Sequence, residues 1–340
     1  MSESASHFRD TVDRVFSDRV DRDFLFQQEQ TGYPAPLWQL ISDLGIDSMR
    51  LPEVHGGVGA DWVDLYEIIS AAGRHGVSLP LGETIVARWL MSAAGLDQQS
   101  GAGTLVYAAN LDRVPWGRDV HWGLWQRPGE KEISFIRWNQ VHSTKGSNIA
   151  REPRDKLNAD SVVKLLLPTD LVQNSLLYLG ALLRSAQIAG GAFRLLEKSS
   201  QYAQEREQFG RPLSKFQSVQ HNLARLAAWA ASIDASARYA FCCMNTGGMP
   251  ESALLAIAAA KYRASDLASQ VNSTAHQIHG AIGFTYEHDL HFFSRRLWSW
   301  SAEFGGSGYW ADYLGGLALE QGADSIWQKI TDSSAKINGE

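Results

Sequence analysis

The sequence predicts a mainly α-helical protein in three sections. These are an N-terminal helical domain (1–102), a shortened middle β domain (103–168) and a C-terminal four-helix bundle (169–340). Three observations predict it. Apolar residues recur three and four apart over the first hundred residues. The texture then changes to short β-branched and aromatic runs bounded by Pro and Gly. Beyond residue 170 come long, alanine-rich helical patterns, two of them separated by Gly247, Gly248 and Pro250.

In the first section, "PLWQLISDLGI" (36–46) and "DWVDLYEIISAAGRHG" (61–76) have helical spacing, and "LPEVHGGVGAD" between them is a loop by its proline and glycines. "SLPLGETIVARWLMSAAG" resumes the helical pattern. In the second section, "GTLVYAANL", "VHWGLWQRP", "KEISFIRWNQVHST" and "SVVKLLLP" read as strands of a small sheet. The third opens with "QNSLLYLGALLRSAQIAGGAFRLLEKSSQYAQEREQF", a long stretch without proline. Two more long helical patterns follow, then the shorter "HDLHFFSRRLWSWSAEF" and "GYWADYLGGLALEQ", the parts a four-helix bundle needs. Runs such as 227–237 and 256–260 let helices approach closely.

Composition narrows the function. A net charge of −6 and a pI near 5.9 argue against nucleic-acid binding. The most basic stretch, "REPRDK" (151–156), is diluted by its own acids and reads as a solvated loop. No uncharged apolar run reaches the roughly 20 residues of a bilayer span, and the first residues lack a secretory signal pattern, so a cytoplasmic protein without membrane contact is expected. Cys242 and Cys243 are adjacent in a helical pattern, which excludes a disulfide framework. His276 and His279, like His288 and His291, stand three apart, but no carboxylate or thiolate at matching spacing supports a metal, and none is expected. The "WSW" at 298–300 reads as packing.

Two stretches carry candidate chemistry. "REQFGRPLSKFQ" (206–217) interrupts a helix with Gly210 and Pro212; Arg206 and Gln208 are polar, Phe209 is a flat apolar surface, and Gln217 starts the next helix. In "QIHGAIGF" (277–284), Gln277 offers an amide, while Gly280 and Gly283 leave backbone N–H groups uncovered. A guanidinium suits a pyrophosphate, and bare glycine backbone approaches a phosphate or adenine closely. No dinucleotide-binding fingerprint, P-loop, nucleophile elbow or zinc-protease motif is present.

Together and in this order, the two stretches resemble the flavin motifs of the acyl-CoA dehydrogenase family. "LWQLISDLGIDSMRLPEVHGGVGADWVDLYEI" is similar to the family's N-terminal helical domain, so the resemblance spans nearly the whole chain. It implies FAD held at a subunit interface, with cofactor contacts from Arg206, Gln208, Phe209, Phe216, Gln217, Gln277, Ile278, His279, Gly280 and Gly283. Ala281 stands where the family's Gln-x-x-Gly-Gly stretch has its second glycine. It also implies α,β-desaturation of an acyl-CoA, a carboxylate removing the α-proton while the flavin takes the β-hydrogen as hydride, with an electron-transferring flavoprotein as acceptor.

The chain departs from the family pattern in three places. Counted without gaps from Gln277, the family's basic glutamate falls on Phe304, and Glu303 precedes it. A shift of one residue makes Glu303 the base; otherwise it is a solvated helix-end residue. The alternative location of the base, early in the first bundle helix, falls near Gly180 and is closed. The middle domain lacks the Glu-Pro-x-x-Gly-Ser-Asp stretch that borders the flavin ring. A short β domain and a displaced base resemble a subgroup of short subunits that pair with a longer member to oxidise bulky, steroid-type acyl-CoA thioesters. The resemblance thus implies a homo- or heterotetramer, with the base either Glu303 or the partner's.

Overall fold

The computed structural model describes residues 3–138, 143–158, 163–167, 171–245 and 249–322, with Ser325 and Gln328 beyond them. The chain divides into two compact units. One comprises Met1–Ile69 with Ser78–Leu183, and the other Ser70–Val77 with Arg184–Glu340.

The first unit begins with helices α1 (Glu3–Arg19), α2 (Arg22–Thr31) and α3 (Ala35–Asp43). Asp21 caps α2 by accepting from the Phe24 N–H at 2.8 Å, and Gly32, at φ 87°, closes it. α4 (Trp62–His75) contributes its residues through Ile69, and α5 (Leu81–Ala93) is buried along nearly its whole length. The glycine-rich stretch between α3 and α4 is a loop as expected. Its Gly57 sits where a Cβ would lie 2.1 Å from the Leu51 carbonyl oxygen, so the turn closes only around glycine.

Among the described residues this unit also has seven strands: β1 (Gly103–Tyr107), β2 (Val114–Pro115), β3 (Trp122–Gln126), β4 (Ile133–Arg137), β5 (Ser143–Thr144), β6 (Arg154–Leu157) and β7 (Val163–Leu167). They form a four-stranded sheet in the order β1-β3-β4-β7, with β1 and β3 parallel, and a three-stranded sheet β2-β6-β5. Gly103 pairs with Trp122, whose ring occupies the space a side chain at 103 would need. Part of the "NQVHST" run, 139–142, and the ends of "SVVKLLLP" lie outside the described residues.

"REPRDK" is not a solvated loop. It enters β6, with Arg154 and Asp155 buried. Asp155 accepts from the Arg118 guanidinium at 2.6–3.0 Å and from the Gly146 N–H at 2.9 Å, and Arg154 pairs with Glu152. Burial of charge is tolerated here because each group meets an opposite charge and a further backbone partner, the Gly146 N–H for Asp155 and the Pro153 carbonyl for Arg154.

The second unit takes α6 (Ser175–Glu205) from Arg184 onward, then α7 (Gln217–Met244), α8 (Glu251–His279), α9 (Leu290–Ala302) and α10 (Ser307–Gln321). α8 lies at the centre, against α7, α9 and α10. Its buried Ala253, Ala256, Ala260, Ala264, Ala268 and Ala275 recur three, four or seven apart, the spacing of one helical face. Pro250 precedes α8, while Gly247 and Gly248, the expected stop of α7, lie outside the described residues. Cys243 is buried in α7 and Cys242 half-buried, and neither forms a disulfide among the described residues. The final residues of α4 also belong to this unit and meet α6 through glycines. A Cβ on Gly190 would lie 1.8 Å from the Ser70 carbonyl oxygen, and one on Gly73 2.2 Å from that of Gln187. By length and composition α6 could cross a membrane, contrary to the reading of the sequence, but 94% of its most apolar window is buried inside the protein.

Candidate active site

The interruption at 206–217 is a two-residue β-hairpin. α6 ends at Glu205, β8 (Glu207–Gln208) pairs with β9 (Arg211–Pro212), and α7 begins at Gln217. Phe209 and Gly210 form the tip with φ 52° and 75°, the pair of positive values a tight hairpin turn demands. Glycine adopts this freely, whereas a phenylalanine is strained. Phe209 is nevertheless held there with its ring 92% exposed, touching the edge of Phe216 at 6.2 Å between centroids. Arg211 covers the Phe216 ring at 4.1 Å. The turn therefore displays an aromatic face that burial does not explain.

The second stretch is the end of α8. Gln277 and Gly280 are exposed, and Gly280 has φ 63° with open space where a Cβ would be. Ile278, His279 and Gly283 are buried. Their side-chain positions are turned into the bundle, which leaves a ligand only their backbone. His279 stacks on Tyr202 at 4.6 Å and donates from Nδ1 to the Ala275 carbonyl at 2.8 Å, which fixes the proton on Nδ1. Burial pushes its pKa down to about 4, with His288 and His276 adding to the fall, so the ring is neutral at pH 7. His276 meets Ser294 Oγ at 3.0 Å and stacks on Phe284. Both are core histidines. Of "WSW", Trp300 is core, whereas Trp298 is 39% exposed and lies parallel to His276 at 6.0 Å.

Among the described residues, the side chains of Arg206, Gln208, Gln217 and Gln277 make no hydrogen bond or ion pair. Four free polar groups and a strained, exposed phenyl suit a cofactor with a flat ring and anionic groups. The guanidinium fits a pyrophosphate, the amides fit ring nitrogens and carbonyls, and Phe209 offers a stacking face. The residues present fit FAD.

Glu303 is the C-cap of α9 and is paired, not a solvated helix-end residue. Its carboxylate, 19% exposed, accepts from Arg184 Nε at 2.8 Å, and the Arg184 side chain is 2% exposed. Arg184 Nη1 also donates to Gln187 Oε1 at 2.5 Å. Beneath the same turn lies Lys261, fully buried, donating to Ser265 Oγ (2.7 Å), the Ser301 carbonyl (2.9 Å) and the Gly305 carbonyl (2.8 Å). Burial pulls the amine down to about 7, partly opposed by the charge of Glu303 and reinforced by Arg184. Phe304 and Gly305 repeat the hairpin's chemistry with φ 53° and 86°, and Trp310 Nε1 donates to the Phe304 carbonyl at 3.1 Å. Sequence reading missed Arg184 and Lys261. Their only signal was a cation set in a mostly apolar helical run, Arg184 in "GALLRSAQIAGG" and Lys261 after "AIAAA".

Comparison with known proteins agrees with this frame. The model of the acyl-CoA dehydrogenase N-terminal domain matches residues 2–101, and that of the C-terminal domain matches 170–307. Acyl-CoA dehydrogenase IpdE2 of Mycolicibacterium smegmatis is 27% identical over 87% of this chain and 93% of its own length. IpdE2 of Mycobacterium tuberculosis is 29% identical over 78% and 81%. Among solved structures, the ChsE4-ChsE5 complex from Mycobacterium tuberculosis superposes with a TM-score of 0.84 at 19% identity, covering 95% of this chain and 99% of the other. The Tcur3481-Tcur3483 steroid ACAD G363A variant gives 0.81 at 21%, covering 94% and 98%. With both domain models matched in order, and the residues between and around them folded as described, the chain belongs to the acyl-CoA dehydrogenase family of FAD-dependent oxidoreductases that act on acyl-CoA.

Proposed function

We propose that the chain is the short subunit of a heteromeric acyl-CoA dehydrogenase that desaturates a bulky, steroid-derived acyl-CoA, and that a longer subunit supplies the base. The observation that carries this reading is the ion pair of Glu303 with Arg184. A base must take up a proton, and a proton on Glu303 would remove the charge with which a 2% exposed guanidinium is paired. Lys261 lies under the same turn, where the charge of Glu303 favours its protonated form. Glu303 is thus held as a counter-ion. Arg206, Gln208, Phe209, Gln217 and Gln277 remain available to hold a flavin, and FAD when bound supplies the hydride acceptor. This chain's part is to bind and orient that cofactor, and an electron-transferring flavoprotein then takes its electrons. The likeness to the ChsE4-ChsE5 complex and to the Tcur3481-Tcur3483 steroid ACAD supports the heteromer, and the latter supports the substrate class.

The test is co-purification with a longer acyl-CoA dehydrogenase subunit, followed by anaerobic mixing with acyl-CoA and measurement of flavin bleaching. Glu303→Gln should lower the melting temperature, because Arg184 loses its counter-ion, but the folded, flavin-bound fraction should bleach at the wild-type rate. Loss of bleaching with flavin still bound would overturn the assignment and make Glu303 the base. A yellow, active homo-oligomer of this chain alone would overturn the heteromer.

A further inference from the structure

The two stretches that would hold the flavin are joined behind the cofactor groups, by side chains of α6. Lys198, Tyr202 and Arg206 stand four apart, so they share one face of that helix. Arg206 lies one residue past the end of α6 and still donates its N–H to the Tyr202 carbonyl at 2.9 Å. The Leu213 N–H in turn donates to the Arg206 carbonyl at 2.8 Å, so the hairpin follows the helix end wherever that end is held. On the other side, Lys198 pairs with Asp289, just ahead of α9. The Tyr202 ring stacks on His279 at 4.6 Å with 23° between the planes, and meets His288 at 6.2 Å and 89°. His279 and His288 are themselves 4.7 Å apart. His279 ends α8, two residues past Gln277 and next to Gly280. Both imidazoles are fixed: His279 donates from Nδ1 to the Ala275 carbonyl, and His288 Nδ1 accepts the Leu290 N–H at 3.1 Å. Tyr202 is half-buried and its hydroxyl makes no hydrogen bond among the described residues, so the ring does the holding.

We infer that Tyr202 is a positioning residue for the cofactor: stacked on His279, it sets the distance between Arg206 with its hairpin and Gln277 with Gly280. The inference rests on the assignment of both stretches to the flavin. A spacing fixed before the cofactor arrives removes part of the entropy cost of ordering two segments around it. An aromatic pair contributes up to about tenfold in an equilibrium constant beyond its buried area.

The experiment uses the assembled enzyme, stripped of flavin and titrated with FAD. Binding is read from the quenching of flavin fluorescence, and the setting of the bound ring from its visible circular dichroism. Tyr202→Leu should weaken FAD about tenfold and reduce the dichroism at saturation, whereas Tyr202→Phe, which keeps the ring, should match wild type. Leu226→Ala opens a cavity at a wholly buried position of α7 in the same unit; it should lower the melting temperature yet leave FAD affinity unchanged. Wild-type affinity in Tyr202→Leu, equal weakening in Leu226→Ala, or a Tyr202→Phe protein as weak as Tyr202→Leu would each overturn the proposal. If Tyr202→Leu does not fold, His279→Leu against His279→Phe reads the same stack from its other side, with the same expectations. Arg206→Ala and Gln277→Ala separate the two levels of the argument. Both should weaken FAD whatever the stack does; if neither does, the flavin assignment fails and this inference with it.

Discussion

Replacing Lys261 by methionine tests the electrostatics of the turn that presents Glu303. In the folded chain the amine is fully buried and its pKa falls from 10.5 to about 7, burial being the main cause. At about 1.4 kcal/mol per pH unit, that fall corresponds to about 5 kcal/mol of differential stability. The sign follows from proton counting. Below pH 7 both folded and unfolded chains hold the proton, and the full cost of burying the charge is felt. Between 7 and 10.5 the unfolded chain binds more protons, so stability rises with pH and the cost is relieved. Glu303 and Arg184 act on the amine in opposite directions, and Ser265, Ser301 and Gly305 supply its acceptors. The methionine variant loses three hydrogen bonds at every pH, a constant offset, but has nothing to titrate. Urea unfolding followed by tryptophan fluorescence at pH 7.0 and 9.5 gives the double difference. Wild type should gain about 3 kcal/mol on the variant across that interval. A difference between the two proteins that stays constant over pH 7–9.5 would refute the reasoning, because the amine would then carry its proton throughout.

Two further outcomes follow from the same unit. Phe209→Gly removes a side chain that is 92% exposed and relieves a positive φ, so stability should hold or rise by up to about 1 kcal/mol. The flavin-to-protein absorbance ratio of the assembled enzyme should nevertheless fall; an unchanged ratio would show that the ring does not contact the cofactor. His279, held near pKa 4 against an ordinary 6.5, should make the protein acid-sensitive, since the unfolded chain takes up a proton that the folded chain refuses. Stability is complete above pH 6.5 and falls by about 3 kcal/mol towards pH 4.5. His279→Phe, which keeps a ring against Tyr202, should abolish that part of the loss in urea midpoints.

What the sequence made legible was whatever obeys a period or a turn rule. The bundle helices, the N-terminal helices α3, α4 and α5, the strands at 103–107, 122–126 and 133–137, and the interruption at Gly210 all follow from spacing and from glycine or proline. β6 was illegible because reading by pattern puts charges outside, whereas Asp155 is buried by pairing with Arg118, 37 residues away. The candidate site divides along the same line. Its exposed groups, from Arg206 to Gln217 and at Gln277, lie in contiguous motifs. Its buried charges do not, for Arg184 and Glu303 are 119 residues apart and neither lies in a recognisable run. A charge that is satisfied only at long range leaves no local trace. That is why Glu303 could be located as a candidate and not assigned a partner.

The glycine crossing of α4 and α6 has a consequence for the order in which the molecule can be made. Gly73 and Gly190 allow main chain to rest on main chain, but the two segments are separated by the whole of the β section. The second unit is therefore not a contiguous piece of polypeptide: residues 70–77 emerge early and wait for α6 before their final contacts exist. Long-range contacts of this kind slow folding, because loop closure precedes any gain from packing. Cutting the gene at the start of α6 would produce a bundle missing one of its own segments, whatever cofactor it was given.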